Sequence, residues 1–141
     1  MAFTGNYTCN VFRTGLMNGT FNFTSGTFYI ALYTNEATLD ATTTAYTTAG
    51  EVTDAGYTAG GQVLTITQTP TTGNAPNTTA YISFANASWA GAITARGALI
   101  YKAGDNGAIC VLDFGSNKTS TTTFVVQFPA ATDTSAIIRL L

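Results

Sequence analysis

The chain contains no histidine, and only 9% of its 141 residues are charged. Histidine supplies much of general acid–base catalysis, nucleophile activation and catalytic metal binding, so its absence removes most enzyme chemistry at the start. Serine and threonine abound, but none has an imidazole to activate it. Cysteine is also scarce. Cys9 and Cys110 lie near opposite ends of the sequence with no CxxC spacing, which reads as two small buried apolar side chains. The five basic residues, Arg13, Arg96, Lys102, Lys118 and Arg139, are scattered in a chain of net charge −2. They form no cationic stripe to neutralise phosphates, so neither a nucleic-acid partner nor an anionic membrane surface is expected. No apolar run nears the ~20 residues of a membrane helix. The first ten residues lack the charged and apolar regions of a signal peptide, so the expectation is a chain made and kept in the cytoplasm.

Seven acidic residues leave little to cluster. Glu51 and Asp54, with Asp40, are the best candidates for a calcium ion, but their spacing matches no calcium loop. Gly50, Gly56, Gly60 and Gly61 make a glycine-rich stretch without the Gly-Lys-Ser/Thr ending of a phosphate loop, and they read as turn residues. Six Asn-x-Ser/Thr triplets, the first at Asn6, follow from a composition rich in both residue types. No catalytic residue, cofactor or metal is expected. Trp89 reads as a core anchor before it reads as a sugar platform.

What the sequence has is β-pattern. About one residue in five is threonine, and Thr, Val, Ile, Tyr and Phe suit a pleated, half-buried surface. One segment has helical spacing: Val11, Phe12 and Leu16 between Thr8 and Asn18, with Thr8 as the cap, Gly15 as a weak point and Gly19 as the stop. Strands are predicted at 27–33, 62–69, 79–84, 93–101, 108–114, 123–128 and 136–140. Both rows of the first are apolar or aromatic, so both of its faces are expected to be covered. A turn or exposed tip is predicted over Pro70–Asn77. The length and strand count give one domain, residues 1–141. It is expected to be an all-β, single antiparallel β-sandwich, jelly-roll or immunoglobulin-like, with one short N-terminal helix.

Two local expectations are sharper. The first is a hairpin. Ala95–Tyr101 and Ala108–Phe114 flank a loop from Lys102 to Gly107 that carries glycine and asparagine where φ must be positive. With Tyr101 opposite Ala108, Ile100 meets Ile109, Ala98 meets Val111 and Arg96 lies across from Asp113, an opposite-charge pair. The second concerns Thr34–Gly61, a long segment too apolar for a comfortable solvated loop. It is expected either to hold short irregular strands or to touch a neighbouring chain, with Tyr33, Tyr46 and Tyr57 as interface anchors.

Three stretches taken together resemble a family of small tailed-bacteriophage virion proteins. The first is Phe28–Thr34 (FYIALYT), followed by Ala45–Thr48 (AYTT) and Glu51-Val52. The second is Gly56–Gly61 (GYTAGG). The third is Ala95–Tyr101 (ARGALIY) with Val111–Gly115 (VLDFG), ahead of Phe128-Pro129 and Ala136–Arg139 (AIIR). The similarity runs from about Leu16 to the C-terminus. It implies a virion component assembled in the host cytoplasm, foremost a capsid decoration (cement) protein. Its partners would be the major capsid protein or other virion proteins and further copies of itself. A tail, neck or fibre-associated module and a carbohydrate-binding module displayed on the particle are the alternatives.

Overall fold

The computed structural model describes residues 3–73 and 78–140. The fold is all-β and sandwich-like, with one short helix. In chain order the elements are β1 (Tyr7–Thr8), α1 (Asn10–Met17), β2 (Phe28–Tyr33), β3 (Gln62–Leu64), β4 (Ile66–Thr72), β5 (Ala80–Phe84), β6 (Ala87–Ala90), β7 (Thr94–Lys102), β8 (Ala108–Thr119), β9 (Thr123–Val126) and β10 (Ile138–Leu140). Every pairing is antiparallel. The large sheet has the order β1-β8-β7-β2-β3, beside a three-stranded sheet β10-β5-β4 and a ribbon β6-β9.

A single apolar core unites the three. Phe28 of β2 lies 6.4 Å, ring to ring, from Phe84 of β5, and Trp89 of β6 meets Phe124 of β9 edge-on. The interior strand β2 is covered on both faces, as its two apolar rows require. Phe28, Ile30 and Leu32 are fully buried on one face, and Ala31 and Tyr33 on the other. In the ribbon, by contrast, Trp89, Phe124 and Val126 point inward while Ser88, Val125 and Thr123 face water, the period-2 signature of a sheet wetted on one side.

The helix begins later than its apolar spacing suggests. Thr8 belongs to β1, opposite Cys110. Cys9 occupies the cap position and makes no side-chain cap bond, so Thr8 is not the cap. The stop is as expected. Gly19 has φ +80°, and the Thr20 N–H donates to the Gly15 carbonyl at 2.8 Å, closing a Schellman-type end. Gly15 has a purpose that helix propensity cannot reveal. Phe21 packs directly over it, in the space a Cβ would fill, and meets Phe12 edge-on at 5.0 Å.

Two strand expectations need correcting. Residues 62–69 are not one strand. They split at Thr65 into β3, on the large sheet, and β4, on the small one. The turn predicted from Pro70 begins too early, since Pro70–Thr72 still belong to β4. That strand is an edge, where a residue without an N–H is tolerated, and its register slips between Gln68 and Thr71. The remainder of that turn, 74–77, lies outside the described residues.

Gly15→Ala sets two effects against each other. Helix propensity favours alanine by about 1 kcal/mol, whereas forcing a methyl under a packed ring costs about 1–3 kcal/mol. Phe21 is only 7% exposed and held by Phe12, so packing wins. Urea unfolding of Gly15→Ala is expected to show net destabilisation. A stabilised variant would mean that Phe21 moves aside freely.

Candidate functional site

The sequence-predicted residues fall into two groups, and neither faces outward. Tyr46 and Tyr57 converge on a carboxylate of their own chain, and Tyr33 is bridged to the same residue through its backbone. Glu51 is 7% exposed. Its Oε1 accepts from the Tyr57 hydroxyl at 2.6 Å and from the Gly60 N–H at 2.7 Å, and its Oε2 accepts from the Tyr46 hydroxyl at 2.6 Å. Tyr57 in turn accepts from the Leu32 N–H at 3.0 Å. Tyr101 donates to the Gly60 carbonyl and Tyr33 to the Thr47 carbonyl, both at 2.6 Å. The rings of Tyr46 and Tyr29 stack on Tyr101 at 4.7 and 5.5 Å.

This network ties the 34–61 segment to the large sheet. β3 covers the outer edge of β2 only over Phe28–Ile30. Beyond it, Glu51 bridges to Tyr33, and the Val52 N–H donates to the Leu32 carbonyl at 3.0 Å. Gly61 makes the turn back into β3 with φ +77°, against the Ile30 carbonyl. The segment therefore holds short bridges, one of the two forms expected of it. The interface expectation for Tyr33 and Tyr57 is corrected. They are 0% and 8% exposed, with hydroxyls bonded within the chain, and Tyr46 is half-buried. Ala37, Leu39 and Val52 are buried as well, so the composition of this segment no longer argues for a neighbour.

Burial, reinforced by hydrogen bonding to Glu51, drives the Tyr46 and Tyr57 phenols far above their ordinary value. Burial does the same to Tyr33. Tyr101, buried and near the Glu51 charge, is pushed up to about 12.

The second group is the pair Arg96 and Asp113. The hairpin is present, with Tyr101 opposite Ala108 and positive φ at Gly104 and Asn106. The register beyond it differs from expectation. Ile109 is an extra residue in β8, so Ile100 meets Cys110, Ala98 meets Leu112, and Gly97 rather than Arg96 lies opposite Asp113. A bulge of this kind is invisible to face-matching, because Ala108, Ile109, Cys110 and Val111 are all buried. The ion pair forms nonetheless, diagonally, from Arg96 Nη1 to Asp113 Oδ1, with both side chains 14% exposed. Gly97 leaves room for the Phe3 ring, and the guanidinium sits 5.5 Å from that ring's centre. Asp113 Oδ1 also accepts from the Gly115 N–H at 2.8 Å. The bond from Arg96 holds the Asp113 carboxyl below the usual carboxylate range.

The remaining candidates are structural. Asp54 accepts from the Thr94 N–H at 2.8 Å and Asp40 from the Thr42 N–H at 2.7 Å. They do not join Glu51, and no group of three potential metal ligands occurs among the described residues. Both cysteines are free and buried. Burial pushes the Cys9 thiol up to about 11 and the Cys110 thiol higher, so both are poor nucleophiles. Trp89 is a core residue, 4% exposed, near Tyr57 and Phe124.

The concave surface that the sequence did not announce lies elsewhere. β1 and β10 are end strands of different sheets, and the sandwich is open between them. Helix α1 lies beside this opening, leaving a cleft of about 560 Å³ between Phe12, Leu16 and Met17 on one side and Ile137–Leu140 on the other, with Thr8 and Cys110 as further lining. A second hollow of about 300 Å³ shares Phe12, Leu16, Ile138 and Leu140 and extends to Phe23, Tyr81 and Ile82. Met17 and Leu140, which line the first cleft, are 90% and 53% exposed. No family model, no curated protein and no solved structure matches this chain.

Two expectations follow. Glu51→Ala leaves one buried hydroxyl, one half-buried hydroxyl and one N–H without their acceptor, each costing about 1–3 kcal/mol where water cannot reach. A loss of about 3 kcal/mol or more is therefore expected in chemical unfolding, with Glu51→Gln milder. A loss below about 0.5 kcal/mol would show that water replaces the carboxylate freely. The phenols set the alkaline limit. Their folded values lie above the unfolded value of 10.0, so their contribution is complete below pH 10. It is lost as pH rises, for Tyr101 through about 12. The phenolate absorbance of Tyr33, Tyr46, Tyr57 and Tyr101 should therefore appear together with unfolding. Smooth titration of these four tyrosines in a folded chain would contradict this.

Proposed function

We propose that this chain is a structural component of a bacteriophage virion, foremost a decoration protein bound to the outside of the head lattice. The supporting observation is how its reactive side chains are placed. Glu51 and its tyrosines, and Arg96 with Asp113, are bonded to one another inside the fold, while the main cleft is lined mostly by apolar groups. Such a molecule acts by contact and not by chemistry. Apolar area removed from water contributes about 25 cal/mol per Å², offset by the cost of association. Repetition over a lattice turns a modest gain per site into a stiffened shell. The motifs from Phe28 to Arg139 that resemble phage virion proteins point the same way. A surface with few charges and many Thr and Asn residues suits neutral hydrogen bonding between neighbours.

The test is reconstitution. Heads of the phage that encodes the chain, stripped of it, should rebind the purified protein at a fixed copy number and then release DNA at a higher temperature. Binding only to tails, or assembly into six-fold rings, would replace the head by a tail or neck position. Selective binding on a glycan array, without head binding, would overturn the reading in favour of a carbohydrate-binding module.

A further inference from the structure

We propose that the cleft between α1 and β10 receives an extended segment of a partner protein that alternates apolar residues with carboxylates and lies along the free edge of β10. The proposal rests on the reading of this chain as a contact protein, but not on the head as its location.

Three features define the occupant. The first is the edge. β10 pairs on one side only, Ile138 with Ile82, Arg139 with Tyr81 and Leu140 with Ala80, and no strand flanks its other side among the described residues. An unpaired edge offers backbone donors and acceptors to a further strand. At about 3.3 Å per residue, three residues of β10 match a short segment of three to five residues. The second is the wall opposite. Phe12, Leu16 and Met17 of α1 face that edge across the cleft. A strand laid there would send alternate side chains into the apolar hollow, with the others toward the rim. The third is charge. Arg13 and Arg139, two of the five basic residues, both line the cleft, and no acidic residue does. Neither makes an ion pair within the chain among the described residues. Arg139 has one hydrogen bond, to the Thr134 carbonyl at 2.7 Å.

The same charges argue against a second copy of this chain. A two-fold pairing of β10 with β10 would set Arg139 near its own symmetry mate, and like charges across a strand pair are destabilising. A carboxylate on the rim row of a different protein meets both guanidiniums instead.

The probe is a capped hexapeptide alternating valine with aspartate or glutamate, titrated into the isotopically labelled full chain and read by amide NMR shifts. Two further hexapeptides carry asparagine and glutamine, or lysine, at the acidic positions. The acidic peptide is expected to shift amides of α1 and β10 and to bind about tenfold more tightly than the neutral one. Arg13→Glu with Arg139→Glu, both at exposed positions, should reverse the preference toward the lysine peptide without unfolding the chain. Met17→Glu should weaken the acidic peptide. The proposal is overturned if no peptide perturbs these amides at millimolar concentration, which would leave Arg139 as a charge that merely guards an edge. Equal binding of all three peptides overturns it too, as do cleft shifts that track the protein's own concentration. Head rebinding by the unaltered chain is scored separately. A chain that binds heads but no peptide ends the cleft proposal alone, and one that binds peptide but no heads ends the head assignment alone.

Discussion

One buried carboxylate organises an entire face of this molecule. A charged group out of water is costly unless its lone pairs are filled. Glu51 fills them with two phenols and a backbone N–H. Because no cation pairs with it among the described residues, the donors come from several places at once: Tyr46 and Tyr57 from the connecting segment, and Gly60 from the turn before β3. Each then reaches further. Tyr57 caps the Leu32 N–H, and Gly60 engages Tyr101 of β7. A long threonine- and glycine-rich connection with little regular structure is thereby fixed against β2 and β7, and the tyrosine-bearing face of the large sheet is closed.

The other face follows ordinary apolar packing. Aromatic rings run from α1 through Phe21 and Phe23 to Phe28, Phe84 and Phe128 at centre distances of 4.5–6.4 Å. Edge-to-face and stacked contacts of this kind contribute beyond their buried area. The two halves of the structure thus use different means: a polar node on one side of the sheet and a ring cluster on the other.

Strand-forming segments were legible because alternation and β-branched content are local properties: β2, β5 and β7 stand where their patterns place them, and β8 starts where expected but runs on past Phe114 to Thr119. The Tyr101–Ala108 hairpin closure was legible from its turn residues. Bulges were not. Ile109 sits in a run buried throughout, so nothing in the pattern marks it as the extra residue. The role of Glu51 was hidden for a related reason. A lone acid between Gly50 and Val52 looks like a surface group or a weak metal ligand until the tyrosines five and six positions away fold over it. The tyrosines themselves stand out in the sequence, but burial inside a subunit and burial between subunits leave the same mark on it. The cleft could not be read at all, since it depends on β1 and β10 ending different sheets.

Trp89 has a further consequence. It is the chain's one tryptophan, enclosed at 4% exposure between Tyr57 and Phe124, with an indole Nε1 that finds no hydrogen-bond partner among the described residues. An indole held dry and unbonded emits far to the blue, and wetting it shifts the emission red. The molecule thus carries a built-in optical gauge on the seam where the β6-β9 ribbon meets the Glu51-anchored segment. Its colour reports that seam.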